Sequence, residues 1–381
     1  MSTYQPAHLS AEQLARDLAV RDLTDPAAGP HALQLVLDRA VAALTRHWDC
    51  AHRLHRGERV VTVQDNYDLL GYRASDVTRD ARYTRYVDDH RMLRSHSSAL
   101  VPGALRTLAA ERTAPDHLLL ACPGLVYRRD SIDRLHTGTP HQLDLWYLTR
   151  RPEPASSADL DGMIRVLVEA LLPGAEYRTE ERVHPYTLAG RQIDVLAPDG
   201  TWVEIAECGL AHPEVLSRAG LGAEWSGLAL GMGLDRMLML LKGIPDIRLL
   251  RADAPAVTAQ LADLAAYRPV SPMPAIRRDL SIAVDPSDAA EDLGDRVREA
   301  LGPDADYVET VEILTATPGH DLPPQALTRL GAHPAQQNLL LKIVLRHPDH
   351  TLTDHQANLL RDRLYAALHQ GTTHHWAARR D

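Results

Sequence analysis

Phenylalanine is absent from this sequence of 381 residues, and lysine occurs only at positions 242 and 342. Asparagine is almost as scarce, occurring at positions 66, 338 and 358. Arginine therefore supplies nearly all of the positive charge, which is typical of a strong genomic base bias. The same bias would also deplete phenylalanine, although it does not by itself require that none remain.

Cysteine is scarce as well. Cys50, Cys122 and Cys208 are odd in number and far apart, which excludes a disulfide framework and the spacing of a cysteine metal site. Histidine is plentiful, but no pair has the spacing of a zinc site. Unpaired thiols fit a reducing compartment, so the sequence predicts a cytoplasmic protein.

Long apolar runs are missing. None approaches the roughly 18 residues that suggest a membrane helix. The first six residues carry neither basic side chains nor an apolar stretch, so the sequence predicts no signal peptide and no membrane span. The net charge of −10 argues against binding nucleic acid through bulk positive charge, but it does not exclude a local site.

Apolar residues at 45% and charged residues at 24% are ordinary for a folded chain long enough for two or three domains. Ser10 followed by Gln13 is a helix-capping pair, and Pro198-Asp199-Gly200 has the composition of a hairpin turn. Apolar spacing supplies the other signals. The predicted elements are helices over 10–22, 31–47, 159–172 and 231–241, a strand over 60–63, and strands over 192–196 and 201–205.

Prolines and serines between Tyr267 and Pro274 predict a domain boundary. The sequence beyond it predicts the strand–helix–strand–strand–helix–strand order of a ferredoxin-like domain. This part holds 12 Lys and Arg against 16 Asp and Glu, so it is not basic. Its predicted elements are strands over 276–284, 307–315 and 338–347 and helices over 288–301 and 353–369.

The densest group of polar residues lies between Gly124 and Asp144. An apolar strand turns there through Arg128, Arg129 and Asp130 and returns as an alternating strand. Two antiparallel strands joined by an arginine-rich loop are able to direct guanidinium groups at a phosphate. On spacing alone, a solvated hairpin loop is the alternative.

This stretch resembles motif 2 of class II aminoacyl-tRNA synthetases of the phenylalanyl type. Three further segments agree with that family in order and spacing, and coverage extends over roughly residues 30–378. They are Arg94-Ser-His-Ser-Ser-Ala, Trp202-Val-Glu-Ile-Ala-Glu-Cys-Gly-Leu, and Gly227-Leu-Ala-Leu-Gly-Met-Gly-Leu-Asp-Arg, which resembles motif 3. The end of the chain resembles the ferredoxin-fold anticodon-binding domain of the monomeric organellar enzymes.

The resemblance implies an α+β fold, with an antiparallel sheet flanked by helices and followed by a ferredoxin-like domain. It implies an N-terminal helical extension over 1–29, a catalytic domain over 30–267 and an anticodon-binding-like domain over 268–381. The implied reaction joins an amino acid to ATP, with Mg²⁺, to form an aminoacyl adenylate and then transfers the aminoacyl group to a tRNA. The oligomeric state stays open between monomer and homodimer.

The resemblance also assigns nucleotide contacts. Arg128 would clamp the α-phosphate and Asp130 would meet the adenine edge, where the family more often has Glu. His136 would reach the distal phosphates, Arg236 would lie against the adenine and the γ-phosphate, and Glu204 would hold Mg²⁺. An unpaired arginine on an apolar helix is costly, which makes Arg236 hard to explain structurally.

For the amino acid, the resemblance assigns its amino and carboxylate ends to four residues. Each has a structural alternative, since a loop contact explains the first two and an exposed strand face explains the others. The four residues are His96, Ser98, Gln142 and Asp144.

The chain departs from the family where the substrate side chain would lie. His184-Pro185-Tyr186 stands where the family has Phe-Pro-Phe, and Glu207 replaces a glycine. Pro140 replaces the phenylalanine expected to stack on adenine, whereas Ala229 matches the small residue at the far end of the ring pocket. In a regular strand, Glu207 would share the apolar side of its neighbours and need a partner.

These departures predict a paralogue whose pocket, lined by His184, Tyr186 and Glu207, takes a polar or cationic amino acid. The alternative is that Glu207 forms a structural salt bridge and the substrate is still aromatic. Two other functions stay open. One is transfer of the activated amino acid to a non-tRNA acceptor in specialised metabolism, which the acidic tail favours; the other is a non-catalytic regulator that binds tRNA or amino acids. A chain without phenylalanine would also be translated when charged Phe-tRNA is scarce.

Overall fold

A computed structural model describes residues 8–79, 84–270, 273–348 and 350–374. The chain divides into two units. The first unit comprises Met1–Arg128, Thr139–Ile244 and Gln260–Tyr267, and the second comprises Arg129–Gly138, Pro245–Ala259 and Arg268–Asp381. The three predicted domain ranges stay predictions, and the two short segments 129–138 and 245–259 belong to the second unit although they lie within the predicted catalytic range.

The first unit contains a seven-stranded sheet with the order β1-β4-β5-β9-β8-β7-β6. All neighbouring strands are antiparallel except β1, which pairs parallel to β4. A separate antiparallel ribbon is formed by β2 and β3. The strands are β1 (Ala51–Leu54), β2 (Val60–Thr62), β3 (Arg91–Leu93), β4 (His117–Leu125), β5 (His141–Thr149), β6 (Tyr177–Glu181), β7 (Thr187–Leu196), β8 (Trp202–Ala211) and β9 (Ser226–Gly233).

Seven α-helices accompany these strands in the described part of the first unit. The predicted capping pair is present, since the Ser10 side chain accepts from the amide of Gln13 and the Gln13 side chain accepts from the amide of Ser10. The α2 helix contacts α5, α7 and β4. The helices are α1 (Ala11–Ala19), α2 (Ala32–Trp48), α3 (Val63–Asn66), α4 (Val101–Ala109), α5 (Ser157–Leu171), α6 (Pro213–Arg218) and α7 (Leu234–Lys242).

One face of the sheet is covered by α4 and α6. Trp146 and Leu148 of β5 point to this face and pack in a buried cluster with Leu105 of α4 and Leu216 of α6. Because alternate residues of a strand point to the same face, Asp144 lies on this face too, next to the apolar cluster. The covered end of the face is buried and apolar, and polar side chains begin at the following row.

The second unit contains a three-stranded antiparallel sheet with the order β10-β12-β11. Helices α9 and α11 pack on it around a core that includes Leu341, Leu293 and Leu364. A fourth strand is not found in residues 369–374, and residues 375–381 lie outside the described chain. The elements are α8 (Pro255–Thr258), β10 (Ile276–Val284), α9 (Ala290–Leu301), β11 (Val308–Pro318), α10 (Pro324–Leu330), β12 (Gln337–Leu345) and α11 (Asp354–Leu368).

The predicted α+β class with an antiparallel sheet flanked by helices is confirmed. The hairpin around Pro198-Asp199-Gly200 is also present, with longer strands than predicted. The helix predicted over 231–241 is wrong at its start, because residues 231–233 pair with β5 and β8 and the helix begins at Leu234. Within the described ranges, no helix combines the length and apolar character needed to cross a membrane.

Candidate active site

The candidate site begins as a row of residues across the sheet of the first unit. Asp144 of β5 lies opposite Gly231 of β9, Gly231 lies opposite Glu207 of β8, and Glu207 lies opposite Gln192 of β7. These residues lie on the face that carries Trp146, two positions after Asp144. Since Gly231 has no side chain, the two carboxylates border an uncovered stretch of backbone.

Glu207 reaches this face because β8 is irregular. Its pairing with β7 shifts at Ile205, so that Asp194 lies opposite Glu204 whereas Ile193 lies opposite Ala206. A β-bulge of this kind places one extra residue in the strand and reverses the alternation after it. The strand is therefore not regular, as the expectation for Glu207 assumed, and Glu207 shares its face with Glu204 rather than with Val203.

The Glu207 carboxylate has two basic neighbours. His184 Nε2 lies 3.0 Å from Oε2, and Arg182 Nε lies 3.7 Å from Oε1. The close approach of His184 is the main reason why the pKa of Glu207 is lowered, and it outweighs the opposing effect of burial. Glu207 is thus paired, as the structural alternative required, while about a third of its side chain stays exposed, at 34%.

Stacked aromatic rings form the wall next to this pair. The ring of Tyr186, which is buried, lies 5.6 Å from that of His184 and 6.4 Å from that of Trp146. Tyr72 lies 6.3 Å from Tyr186 and 5.7 Å from His96, measured between ring centroids. His184, Tyr186 and His96, which the sequence assigned to the substrate, therefore belong to one continuous cluster.

Asp144 is buried beside the loop that carries His96 and Ser98. The Ser97 hydroxyl donates to Asp144 Oδ2 at 2.5 Å, and the Ser97 amide donates to Gln142 Oε1 at 3.1 Å. Burial raises the pKa of Asp144 to about 6, against the opposing hydrogen bonds of Ser97 and Ser98. The second oxygen, Oδ1, is buried without a hydrogen-bond partner among the described residues.

His96 presents a second buried polar atom. The Asn66 amide oxygen accepts from the Ser95 amide, so the Asn66 Nδ2 group is the donor that faces His96 Nε2 at 3.4 Å. Burial, assisted by the charge of Arg128, lowers the pKa of His96 to about 3, so the ring is neutral at pH 7. A neutral ring that accepts at Nε2 carries its proton on Nδ1, and Nδ1 has no partner in the described structure.

The positive charges of two guanidinium groups act to lower the pKa values of carboxylates on this face. Arg128 follows β4, donates from Nε to the Ser95 carbonyl at 3.0 Å, and keeps an exposed side chain. Arg236, on the first turn of α7, donates to the Glu204 carbonyl at 3.2 Å. Burial and the charge of Glu207 raise the pKa of Glu204, whereas Arg236 opposes that rise.

The start of α7 is held by a buried pair. His141 Nδ1 lies 2.9 Å from Asp235 Oδ1, and the His141 amide also donates to the Asp235 carboxylate. His141 Nε2 in turn accepts from the Leu23 amide at 3.0 Å. Because Asp235 directly precedes Arg236, this pair connects the position of Arg236 to β5.

Three predicted residues remain, two in the second unit and one in the first. Asp130 and His136 belong to the segment assigned to the second unit, where the Asp130 carbonyl accepts from Arg298 at 2.5 Å and His136 Nδ1 lies 2.8 Å from Asp133 Oδ2. Their predicted nucleotide contacts stay predictions. Ala229 is buried opposite Trp146, in the row that follows Asp144 and Gly231.

Sequence reasoning missed three residues of the site. Trp146 had a usable signal, because it follows Asp144 by two positions in an alternating strand and must share its face. Ser97 lies between two predicted residues but makes the contacts with Asp144 and Gln142 itself. Tyr72 had no local signal, since only the fold brings it to His96.

Glu204 was predicted to hold Mg²⁺. In the part of the chain that the structure describes, no three His, Cys, Asp or Glu side chains are grouped to hold a metal ion. Mg²⁺ commonly binds through one or two carboxylates together with substrate phosphates and water. A single half-buried carboxylate near Arg236 fits that mode rather than an all-protein metal site.

Comparison with known proteins identifies the family of this chain. Residues 20–260 match the family described as tRNA synthetases class II core domain (F). The phenylalanine–tRNA ligase alpha subunit of Psychrobacter arcticus is 35% identical over 51% of this chain and 53% of its own length. The subunit of the same name from Nostoc sp. is 30% identical over 65% of this chain and 70% of its own length.

The chain thus spans about half the length of the first relative, at 53%, and more of the second, at 70%. Among solved structures, Desulfitobacterium hafniense PylSc, a pyrrolysyl-tRNA synthetase, is 19% identical with a TM-score of 0.42 and covers 63% of this chain and 77% of that chain. The family match extends over more than half of the sequence. The chain belongs to the class II tRNA synthetase core-domain family.

Proposed function

We propose that this protein activates an amino acid with ATP and transfers it to a tRNA, in the manner of a phenylalanyl-tRNA synthetase but with a polar amino acid as substrate. A carboxylate oxygen of the amino acid attacks the α-phosphorus of ATP, and pyrophosphate leaves. The resulting adenylate then passes its acyl group to a ribose hydroxyl, and AMP leaves. Such chemistry depends on positioning and charge stabilisation rather than on a protein nucleophile.

One observation carries the proposal: buried, unpartnered polar atoms lie on the face that also holds two arginines. Asp144 Oδ1 and His96 Nδ1 lack hydrogen-bond partners among the described residues. The charge of Arg128 acts to lower the pKa of both side chains. Buried polar atoms in folded proteins are nearly always hydrogen-bonded. An amino acid satisfies both, because its ammonium group donates to Asp144 and its carboxylate accepts from His96.

The nucleotide would lie towards the arginines. Arg128, being exposed, is available to the α-phosphate, and Arg236 lies beside Glu204. Mg²⁺ bound at Glu204 with the phosphates would neutralise their charge. Asp130 and His136 are proposed as further nucleotide contacts on the resemblance alone.

Pyrophosphate exchange tests this function. The full chain is incubated with ATP, labelled pyrophosphate and each amino acid in turn, and Arg236→Gln is compared with Arg218→Gln. Arg218 is an exposed arginine of α6 paired with Glu214, so it is a matched control outside the site. We expect exchange with at least one amino acid, lost at least 100-fold in Arg236→Gln and unchanged in Arg218→Gln. The proposal is wrong if no amino acid supports exchange.

A second candidate keeps activation but uses a non-tRNA acceptor. In the sheet of the second unit, Lys342 lies between Asp279 and Glu312 and bonds Glu312 at 3.0 Å, so its charge is already neutralised. With 16 acidic against 12 basic residues from position 268 onward, this part of the chain is poorly suited to phosphate backbones. Exchange without acylation of total tRNA would favour this candidate.

A further inference from the structure

The uncovered backbone at Gly231 offers room for a ligand. The residue is partly exposed, whereas Ala229, two positions earlier on the same face, is buried. The atoms nearest to a Cβ added at Gly231 would be those of the Asp144 carboxylate, with Oδ2 at 3.6 Å, which is an ordinary contact. Gly231 lies between Asp144 and Glu207 in the sheet, so the space above it is bordered by these two carboxylates.

The same face is closed in the direction of Trp146. Trp146, Ala229 and Gly209 form the next row, and all three are buried. A Cβ at Gly209 would lie 2.7 Å from the Cβ of Thr187, so no side chain fits between Gly209 and β7. The Tyr186 ring stacks against the Trp146 ring on the face of the sheet that carries this row. A substrate side chain starting near Asp144 has no space in this direction.

The open direction leads across Gly231 to Glu207. This carboxylate already faces the His184 ring and the Arg182 guanidinium, so its charge is compensated. A cationic substrate side chain would compete with His184 and Arg182 for the Glu207 carboxylate. An apolar one would displace water from the Glu207–His184 pair without replacing its hydrogen bonds, which is costly. A neutral group that donates one hydrogen bond to Glu207 and accepts one from its basic neighbours meets neither penalty.

We propose that the amino acid lies over Gly231 with its side chain directed at the Glu207–His184 pair, and that this side chain is uncharged, polar and smaller than an aromatic ring. Hydroxyl and amide side chains have this chemistry. Trp146 is the specificity-determining residue, because its indole occupies the space that a longer apolar side chain would need. The inference rests on the proposed function only in so far as the site binds a free amino acid.

The test compares Gly231→Ala with Gly103→Ala in the full chain. The added methyl group of Gly231→Ala fills the floor between the carboxylates, whereas that of Gly103→Ala, on α4, meets only the end of Arg106 at 3.7 Å. Binding of Ser, Thr, Asn, Gln, Lys, Arg, Leu and Phe is measured by calorimetry without ATP, and pyrophosphate exchange is measured in parallel. We expect a hydroxyl or amide amino acid to bind best, with affinity at least tenfold weaker in Gly231→Ala and unchanged in Gly103→Ala.

A second variant, Trp146→Leu, removes part of the wall. We expect the affinity for Leu or Phe, relative to the best polar amino acid, to rise at least tenfold. This ratio is read within one variant, so a general loss of stability does not produce it. An unchanged ratio would overturn the assignment of Trp146.

The outcomes separate the two proposals. Binding of a hydroxyl or amide amino acid without exchange would support the pocket and refute ATP-dependent activation. Exchange that is best with Phe, Leu, Lys or Arg would support activation and overturn the pocket. If no amino acid binds, both are overturned.

Discussion

The buried Asp144 carboxyl is expected to make the protein less stable as the pH rises. Burial raises its pKa from 3.8 to about 6, although Ser97 and Ser98 donate hydrogen bonds to it. The substitution Asp144→Asn keeps the size of the side chain and removes its ionisation. We therefore expect Asp144→Asn to be more stable than the natural protein at pH 7.5.

The sign follows from proton binding. Below pH 3.8 the carboxyl is protonated in both the native and the unfolded chain, so it adds no pH dependence there. Between 3.8 and about 6 the unfolded chain loses the proton first, and the free energy of unfolding falls with rising pH. At about 1.4 kcal/mol per pH unit, the free energy of unfolding falls by at most about 3 kcal/mol over this interval. Above about pH 6 it falls no further on account of Asp144.

Urea unfolding at pH 4.5, 5.5, 6.5 and 7.5 measures this effect. The quantity compared is the difference in the free energy of unfolding between Asp144→Asn and the natural protein. The difference is expected to grow up to about pH 6 and then to stay constant, because every other titrating group is common to both. Asp199→Asn is the matched control. The Thr201 hydroxyl is the main cause that lowers the pKa of the exposed Asp199 carboxyl. The free energy of unfolding of Asp199→Asn, relative to the natural protein, is therefore expected to change little over this pH range. A flat difference for Asp144→Asn, or a natural protein more stable than Asp144→Asn at pH 7.5, would refute the reasoning.

Three further substitutions test the packing of each unit by thermal unfolding. Lys242→Met removes a buried ammonium that donates to the Asp263 carbonyl at 2.8 Å and to the Ala265 carbonyl at 2.6 Å. It should lower the free energy of unfolding by about 2–3 kcal/mol, and an unchanged melting temperature would contradict this. Glu309→Ala leaves three arginines around an empty buried position and should cost about 3–5 kcal/mol, which a neutral result would exclude. Thr353→Ala removes the cap of α11 and should cost about 1 kcal/mol, whereas Thr353→Ser should cost almost nothing.

Local signals predicted the elements whose interacting groups lie a few residues apart. Ser10 and Gln13 form the predicted capping box at the start of α1, and Thr353 and Gln356 form one at the start of α11, where the sequence predicts a helix. The turn at residues 198–200 joins two paired strands. In each case the chain satisfies its own backbone groups nearby, so no distant residue is needed to decide the conformation.

The segment from Gly231 to Gly233 shows where such signals fail. A run of glycine, leucine and methionine is compatible with a buried strand and with an apolar helix. Pairing with Asp144 on one side and with Glu207 on the other makes it a strand. Those partners lie far away in sequence, so periodicity within the segment contains no information about them.

The residue types that make this chain a class II tRNA synthetase core were readable from the order of its motifs, as was the α+β class, because both depend on short segments. Which of those residues face one another was decided by the sheet. A single extra residue at Ile205 turns Glu207 to the side of Glu204, and strand pairing sets Trp146 beside Ala229. Faces and rows are properties of hydrogen bonds between distant strands, and a bulge of one residue reverses them without leaving a mark in the local sequence.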